Sequence, residues 1–286
     1  MGRIRIGLSG WSYDEWRGDF YPEGLAKSKE LGFAAGRFDT LEINGTFYGL
    51  TTPRASRSWY EAAPSDFQYA VKASRYITHN KKLVDCDSAV ANFFASGILE
   101  LDDKLGPILW QLPPTLHFHP ANVDEFLQLL PKDTDGAAGR ARHHDDRVKS
   151  TSFGPGTNHR LRHVLELRHE SFFVPEMVTL AHRHGVALAF SHASDFPFTE
   201  QVTAGFVYIR LHGPGQAYAS PYDDAQIRRW ADRARTWHKG EEPSDAVRIS
   251  DRRPPARKGR DVYVYFDNDV GGHAPRQARR LRELIE

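Results

Sequence analysis

Short runs in which apolar and polar residues alternate recur along the chain, and longer amphipathic stretches separate them. The first run places Ile4, Ile6 and Leu8 at alternate positions, which is the two-residue period of a β-strand. The same criterion predicts eight strands, at residues 3–9, 38–43, 67–73, 107–112, 164–169, 186–191, 205–211 and 261–266. Helical spacing of apolar residues predicts helices at residues 25–36, 53–63, 88–99, 122–130, 172–184, 222–238 and 275–285.

This alternation of strands and helices indicates a fold class. A chain of alternating β and α units forms a parallel sheet, because each helix returns the chain to the edge where the next strand begins. Eight such units in 286 residues predict a single-domain (β/α)8 TIM barrel over residues 1–286. An open doubly wound sheet is the rival fold, but Gly7-Leu8-Ser9-Gly10 lacks the spacing of its dinucleotide-binding turn.

Two polar stretches interrupt the pattern, at about residues 132–160 and 239–260, directly before the fifth and eighth predicted strands. Connections from a helix to the next strand lie on the bottom face of a TIM barrel, away from its sites. We therefore interpret both stretches as flexible surface insertions whose basic residues and histidines contact solvent. Residues 44–49, after the second strand, are expected to form a loop.

Composition narrows the class of protein. With 40% hydrophobic and 26% charged residues the chain has the composition of a soluble globular protein. A formal net charge of +1 gives no electrostatic signal of nucleic-acid binding. A lone cysteine, Cys86, excludes an intrachain disulfide and a cysteine-based metal cluster. We find neither a signal peptide nor an apolar run long enough to span a membrane, so we expect a cytoplasmic protein without a membrane partner.

Polar residues gather at the carboxyl ends of the predicted strands, where TIM barrels carry their sites. In strand five, Leu165 and Leu167 share one face while Glu166 and Arg168 share the other. Such buried charges form either a structural ion pair or part of a site. Other strands end in Ser9, Glu42, Asn44, Lys72, Gln111, Ser191, His192, Tyr208, Arg210, His212, Asp267, Asn268 and Asp269. Because seven strands repeat the pattern, we expect these side chains to line a shared polar cup.

Aromatic residues are concentrated in the loops that follow the strands: Trp11, Tyr13, Trp16, Tyr48 and Tyr222. They can stack on a sugar ring or a nucleobase. Equally, they can cover the mouth of the barrel as a small separate core. His79 follows strand three and is expected near the mouth.

Seven separated motifs carry a resemblance to a known family. They are Gly7-x-Ser9-Gly10-Trp11-x-Tyr13-x-x-Trp16, Phe20-Tyr21-Pro22, Glu42-Ile43-Asn44-x-Thr46-Phe47-Tyr48, Leu109-Trp110-Gln111-Leu112-Pro113-Pro114, Glu166-x-Arg168-His169, Arg210-Leu211-His212-Gly213 and Tyr265-Phe266-x-Asn268. Together they are similar to the YecE-like family, domain of unknown function 72 (DUF72). The resemblance covers almost the whole chain apart from the two polar stretches. It implies a TIM barrel and does not supply an activity.

The chain departs from the family pattern in two places. The polar stretch before strand five is a local addition. Strand eight ends in Asn268-Asp269-Val270-Gly271-Gly272-His273, where similar proteins more often carry a small residue followed by Ala-Asn. The second departure puts any role for His273 in doubt.

Our first functional hypothesis is a hydrolase acting on a phosphorylated or sugar-containing small molecule. Paired carboxylates act as acid and base in glycosidases, so the catalytic candidates are Glu42 and Glu166, together with His169. Cationic side chains would hold an anionic group, with arginine suited to bidentate contact. The residues expected to bind the substrate are Ser9, Trp11, Tyr13, Asn44, Tyr48, Lys72, Gln111, Arg168, Arg210, His212 and Asn268.

Two alternatives belong to other classes. In a metal-dependent phosphodiesterase or endonuclease, Glu42, Glu166, His169 and His212 would hold a divalent ion, although no metal motif is present and nearby cations would repel it. No cofactor is otherwise predicted. In a non-catalytic module, aromatic and basic side chains would bind a nucleotide or single-stranded nucleic acid. The sequence does not specify an oligomeric state.

Overall fold

The computed structural model describes residues 2–286, whose eight strands form a closed barrel in chain order. The strands are β1 (Ile4–Ser9), β2 (Thr40–Ile43), β3 (Gln68–Lys72), β4 (Leu105–Gln111), β5 (Arg162–Glu166), β6 (Ala187–Ala193), β7 (Phe206–Gly213) and β8 (Asp261–Phe266). The paired strands run parallel. The prediction of a (β/α)8 TIM barrel is confirmed.

Helices follow most of the strands, and proline or an acidic cap begins several of them. They are α1 (Lys27–Ala35), α2 (Gly45–Tyr48), α3 (Pro53–Ala62), α4 (Asp87–Ala95), α5 (Pro120–Leu129), α6 (Thr134–Ala141), α7 (Pro175–His184), α8 (Asp224–His238) and α9 (His273–Ile285). Gly185 adopts φ +68 directly after α7, the left-handed conformation that commonly closes a helix. Between β6 and β7 the described chain has no helix, and residues 194–205 are irregular.

Three predicted elements differ from the structure. Residues 44–49 are not a loop throughout, because α2 forms one helical turn in which the Thr46 hydroxyl donates to the carbonyl oxygens of Ile43 and Lys72. The helix predicted at residues 88–99 ends earlier, since Gly97 turns the chain with φ +112 against Pro53. Strand five ends at Glu166, so Arg168 and His169 follow it rather than continue it.

The early end of β5 has a cause in the neighbouring strand. The backbone N–H of Leu112 donates to the carbonyl of Glu166. The next two residues, Pro113 and Pro114, have no N–H to continue the ladder.

Parts of the two polar stretches, which we interpreted as flexible surface insertions, make tertiary contacts. In the first, α6 packs on α4 and buries Ala137 and Ala141, and Asn92 exchanges two hydrogen bonds of 2.9 Å with Asp145. In the second, the side-chain oxygen of Gln201 accepts hydrogen bonds from the backbone N–H groups at positions 249 and 250. Tertiary hydrogen bonds therefore connect parts of both stretches to neighbouring segments of the chain.

The chain divides into two compact units, which we describe separately. The first unit comprises the residues up to Glu42 together with Ala187–Glu286, and the second comprises Ile43–Val186. Apolar strand residues such as Leu8 and Ile209 fill the core of the first unit, and Val71 and Ile108 fill that of the second. Among the described residues, no helix combines the length and apolar composition needed to cross a membrane.

Candidate active site

In the first unit the strand ends carry a buried set of polar side chains, which we call the carboxylate cluster. It consists of Asp269, which is partly buried, and seven residues that are buried: Ser9, Glu42, Ser191, Tyr208, Arg210, His212 and Asp267. Strand register assembles it, because Ser9 is the partner of Glu42 and Ser191 is the partner of Arg210. Alternate residues of a strand share a face, so β7 directs three of these side chains the same way. That alternation agrees with the sequence pattern of β7.

Glu42 is fully buried and receives hydrogen bonds from three side chains. The hydroxyls of Ser9 and Tyr208 each donate over 2.6 Å. The guanidinium of Arg210 donates from Nε over 3.1 Å and from one terminal nitrogen over 2.7 Å. These donors fix the orientation of the Glu42 carboxyl group.

The side chains of Ser191, His212 and Asp267 contact one another in this order. The Ser191 hydroxyl is 3.0 Å from Nε2 of His212. Nδ1 of the same ring lies 2.8 Å from Oδ2 of Asp267, although the N–H direction is bent away from the ideal hydrogen-bond line. A guanidinium nitrogen of Arg210 also approaches Nε2, at 3.4 Å. Because a guanidinium only donates, Nε2 is best assigned as an acceptor, and the serine hydroxyl then donates to it.

Asp269 follows β8 and carries a carboxyl group that is withdrawn from solvent. Burial and, secondly, the charge of Asp267 raise the pKa of Asp269 to about 9. Its Oδ1 makes no hydrogen bond within the described part of the chain. The hydroxyl of Tyr13 donates to the carbonyl of Ser9 over 2.7 Å, so its oxygen can accept a hydrogen bond from the protonated carboxyl group of Asp269. Burial also raises the pKa of Tyr13, so the phenol stays neutral.

The balance of charges in the cluster supports a protonated Asp269. Glu42, Asp267 and Asp269 supply three carboxyl groups, and Arg210 supplies one guanidinium, which contacts the first two. Burying uncompensated charge is costly, so a carboxyl group without a cationic partner retains its proton. Asp269 therefore retains its proton at neutral pH, whereas Glu42 and Asp267 contact the guanidinium of Arg210.

Other predicted site residues of the first unit also make contacts within the protein. The Asn268 side chain donates to the carbonyl of Ser220 and to the side chain of Gln277. The carbonyl oxygen of Trp11 accepts a hydrogen bond from Tyr21. Trp16 and Tyr222, two of the aromatic residues of the sequence pattern, are buried. The predicted contacts of Trp11, Tyr13 and Asn268 with a ligand stay predictions.

In the second unit the strand ends carry a second set, which we call the cationic cluster: Lys72, Gln111, Glu166 and Arg168. Gln111 pairs with Glu166 across β4 and β5, and its amide donates to Oε1 of Glu166 over 3.1 Å. Nε of Arg168 donates to the same oxygen. Lys72 places its ammonium 4.3 Å from the centre of the Phe47 ring. Here two cations accompany one carboxylate, the reverse of the balance in the carboxylate cluster.

The lowered pKa of His79 indicates a positive electrostatic potential in this region. Burial lowers the pKa of His79, and the charges of Arg75, Lys72 and Arg168 lower it further. Glu166 opposes these charges with a smaller effect. The region therefore favours a negatively charged ligand.

The remaining predicted residues of the second unit are spread along its loops. Tyr48 is 74% exposed. Asn44 directly precedes α2. His169 accepts a hydrogen bond from the backbone N–H of Ser171 and caps the short helical turn Glu170–Phe172. A catalytic role for His169 and ligand contacts for Asn44 and Tyr48 stay predictions.

No set of three or more His, Cys, Asp or Glu side chains in residues 2–286 is arranged to hold a metal ion. Four residues outside the predicted site also lie within the carboxylate cluster: Ser191, Tyr208, Asp267 and Asp269. Ser191, Asp267 and Asp269 could have been found from their positions near the carboxyl ends of strands, and Tyr208 from its alternation with Arg210 on β7.

Comparison with known proteins places the chain in a family. A family model described as "Protein of unknown function DUF72" matches residues 5–286. The chain belongs to the DUF72 family. The resemblance of the seven sequence motifs is thereby confirmed.

Two curated relatives match part of this DUF72 chain. The UPF0759 protein YunF of Bacillus subtilis (strain 168) is 30% identical over 125 residues, which are 42% of this chain and 43% of YunF. The UPF0759 protein YecE of Escherichia coli (strain K12) is 31% identical over 131 residues, 45% of this chain and 44% of YecE. The chain thus spans less than half the length of the curated relatives it matches.

Solved structures of DUF72 proteins match nearly the entire chain. One from Thermotoga maritima MSB8 has a TM-score of 0.73 at 22% identity, covering 99% of this chain and 98% of its own. One from Enterococcus faecalis V583 has a TM-score of 0.70 at 18% identity, covering 99% and 95%. At these identities the similarity establishes the fold, and a fold alone does not assign a reaction.

Proposed function

We propose that this DUF72 protein is a hydrolase that acts on a phosphorylated small molecule at the carboxylate cluster. The observation that supports the proposal most directly is the line Ser191–His212–Asp267. A serine hydroxyl bonded to an imidazole, itself held by a carboxylate, is the arrangement that activates a serine as a nucleophile. The bent contact between His212 and Asp267 does not oppose this role, because catalytic hydrogen bonds are often poorly aligned before substrate binds.

The proposed reaction has two steps. In the first, Oγ of Ser191 bonds to phosphorus, its proton passes to Nε2 of His212, and the bond from phosphorus to the leaving oxygen breaks. His212 then gives that proton to the leaving oxygen, which departs as an alcohol. In the second, a water oxygen bonds to phosphorus, its proton passes to His212, and Ser191 leaves and recovers the proton. The products are an alcohol and inorganic phosphate.

Within the cluster, Glu42 and Arg210 act as positioning residues. Arg210 contacts Glu42 and Asp267 with the same terminal nitrogen, at 2.7 and 2.9 Å. It therefore fixes the carboxylate that faces His212. This role differs from the one that the sequence suggested for Glu42, which was acid or base.

The cationic cluster of the second unit supports an anionic ligand on separate grounds. Arg168 and Lys72 supply two positive charges against the one negative charge of Glu166. Both guanidinium and ammonium groups bind phosphate or carboxylate. We propose that they recognise an anionic group and that Gln111 supplies a neutral hydrogen-bonding partner beside them.

Asp269 supports a second candidate, the hydrolysis of a sugar-containing molecule. A glycosidase needs one protonated carboxyl group as the acid and one ionised carboxylate as base or nucleophile. Asp269, with its raised pKa, meets the first requirement, and Glu42, with its donors, meets the second.

A paired substrate panel tests both candidates. Purified protein is incubated with aryl phosphates, sugar phosphates and aryl glycosides. Release of inorganic phosphate is measured for the phosphates, and release of nitrophenol is measured for the glycosides. The proposal expects release that Ser191→Ala and His212→Asn abolish, while Ser194→Ala, an exposed serine three residues along the chain, leaves it unchanged. Circular dichroism confirms folding of each variant.

The outcomes separate the candidates. Phosphate release by the Ser191→Ala variant would contradict the assignment of Ser191 as the nucleophile. The absence of phosphate release from every phosphorylated substrate would contradict phosphate-ester hydrolysis. Release of nitrophenol from aryl glycosides, lost in Asp269→Asn, would favour the sugar candidate instead.

A further inference from the structure

A cavity of about 190 Å³ lies in the first unit beside β6 and the start of α8, next to the irregular segment 194–205. Its lining includes His192, Phe198, Tyr222, Trp230 and Arg229. His192 directly follows Ser191 on β6, and neighbouring residues of a strand point to opposite faces. The cavity is therefore separate from the carboxylate cluster, where Ser191 contacts His212.

Three aromatic side chains surround the ring of His192. The ring centres of Phe198 and Trp230 are each 5.4 Å from it, and that of Tyr222 is 5.6 Å away. Phe198 and Trp230 also face each other edge-on, with centres 6.5 Å apart. Such walls accept a flat ring by stacking or edge contact.

His192 presents a hydrogen-bond donor in this aromatic setting. The hydroxyl of Tyr222 lies 2.8 Å from Nδ1 of His192 and accepts a hydrogen bond from the backbone N–H of Gly213. The phenol proton is best assigned to the contact with Nδ1, which is shorter than the 3.3 Å contact between the same hydroxyl and the carbonyl oxygen of His192. The proton of the neutral ring is then on Nε2. Burial lowers the pKa of His192 and favours this neutral form. Nε2 makes no hydrogen bond with any described residue, so its N–H can serve a ligand.

Charged residues also line the cavity. Arg233 donates to Glu200 through two nitrogens and to Asp245 through the third, so one guanidinium contacts two carboxylates. Arg229 contacts Asp245 at 3.0 Å while its side chain is 67% exposed. An exposed guanidinium can turn toward a ligand at low cost, so Arg229 can supply a cationic contact at the mouth of the cavity.

The size limits the ligand to one ring. A volume of 190 Å³ equals that of about six waters in the liquid and is below the range typical of drug-sized ligands. A mononucleotide or a disaccharide would not fit inside.

We propose that this cavity binds a monocyclic aromatic carboxylate. The ring lies among Phe198, Tyr222 and Trp230, and the carboxylate accepts hydrogen bonds from Nε2 of His192 and from Arg229. The site is independent of the proposed hydrolase activity.

Titration with benzoate tests the proposal, with benzylammonium and benzyl alcohol as ring-matched probes of opposite and zero charge. Binding is followed by ligand-observed NMR on the full chain. The expected order is benzoate first, benzyl alcohol second and benzylammonium last. Val247→Trp places a ring in the cavity from a half-exposed position and is expected to abolish benzoate binding. Arg229→Gln should weaken it about tenfold.

Two controls locate the bound benzoate. Arg228→Gln changes the neighbouring arginine, which pairs with Asp224 and does not line the cavity, and should leave affinity unchanged. Lys72→Gln changes the cationic cluster and should also have no effect. The proposal is overturned by the absence of saturable benzoate binding, by equal or tighter binding of benzylammonium, or by unchanged binding in Val247→Trp. Loss of binding in Lys72→Gln would assign the benzoate to the cationic cluster instead.

Discussion

The two strand-end clusters use the same residue types in opposite proportions. In the first unit, Glu42 and Asp267 accompany one guanidinium, that of Arg210, and all three are nearly or fully buried. In the second unit, Arg168 and Lys72 accompany one carboxylate, that of Glu166, and Lys72 is partly exposed. A buried cluster rich in carboxylates holds protons, whereas a partly exposed cluster rich in cations attracts anions.

This difference shows that charge at a strand end has no single meaning. Glu42 and Glu166 both occupy the last part of a strand and both contact an arginine. Glu42 receives donors from Ser9, Tyr208 and Arg210 and is a structural centre of its cluster.

Replacing Arg210 by methionine should cause the largest loss of stability. The substitution leaves the buried carboxylates of Glu42 and Asp267 without their cation, and breaking a buried ion pair costs about 3–5 kcal/mol. Urea denaturation followed by circular dichroism measures the loss. Arg228→Met removes an exposed pair with Asp224 and should cost less than about 0.5 kcal/mol. Equal losses for the two variants would show that the carboxylate cluster contributes nothing beyond a surface ion pair.

The fold could be predicted from the sequence because its signals are local. Strand β8 matches its predicted bounds, and the alternation on β7 places Tyr208, Arg210 and His212 on one face. The end of β5 could not be predicted in this way. It depends on the two prolines that follow β4, and their effect becomes visible only when the pairing of β4 with β5 is known.

The candidate site could be predicted only in part. Glu42, Arg210 and His212 stood out as charged or titratable residues within apolar runs. Ser191 did not, because a serine at a strand end is common and its contact with His212 depends on strand register. The packing of the second polar stretch could not be predicted either, because the Gln201 side chain accepts hydrogen bonds from backbone groups about fifty residues further along the chain.

Replacing His163 by phenylalanine should give the next largest effect and a change in pH dependence. His163 accepts a hydrogen bond from the indole N–H of Trp110 and donates to the carbonyl of Pro131. The substitution leaves the indole N–H of Trp110 and the carbonyl of Pro131 without a partner, which should lower the free energy of unfolding by about 2 kcal/mol at pH 7. Urea denaturation across the pH range measures the change.

The sign of the pH effect follows from burial. Burial lowers the pKa of His163 to about 4, below its unfolded value, so the unfolded chain binds more protons between about pH 4 and 6.5. The stability that His163 contributes is complete above about pH 6.5 and is lost as the pH falls. The gap between wild type and His163→Phe should therefore narrow toward pH 4.5, and a gap that widens on acidification would contradict this account.

Asp269→Asn should have the opposite effect in the first unit. The pKa of Asp269 is raised to about 9, above its unfolded value, so the folded chain binds the extra proton and wild-type stability falls as the pH rises. Asparagine removes this dependence, so the variant should be more stable than wild type at pH 8, and by a larger margin than at pH 5. Thermal unfolding at pH 5 and pH 8 measures the difference. A variant less stable than wild type at both values would mean that Asp269 is ionised and paired.

Lys72→Met should have the smallest effect on stability and a distinct effect on ligands. The partly exposed ammonium contributes a cation–π contact with Phe47, so its loss should cost less than about 1 kcal/mol. If the cationic cluster recognises anions, added phosphate should raise the melting temperature of the wild type, because a ligand that binds the folded state stabilises it. The rise should be smaller in Lys72→Met and unchanged in Lys29→Met, which alters an exposed lysine on α1. Equal phosphate responses in all three proteins would leave the cationic cluster without the anion-binding property that separates it from the carboxylate cluster.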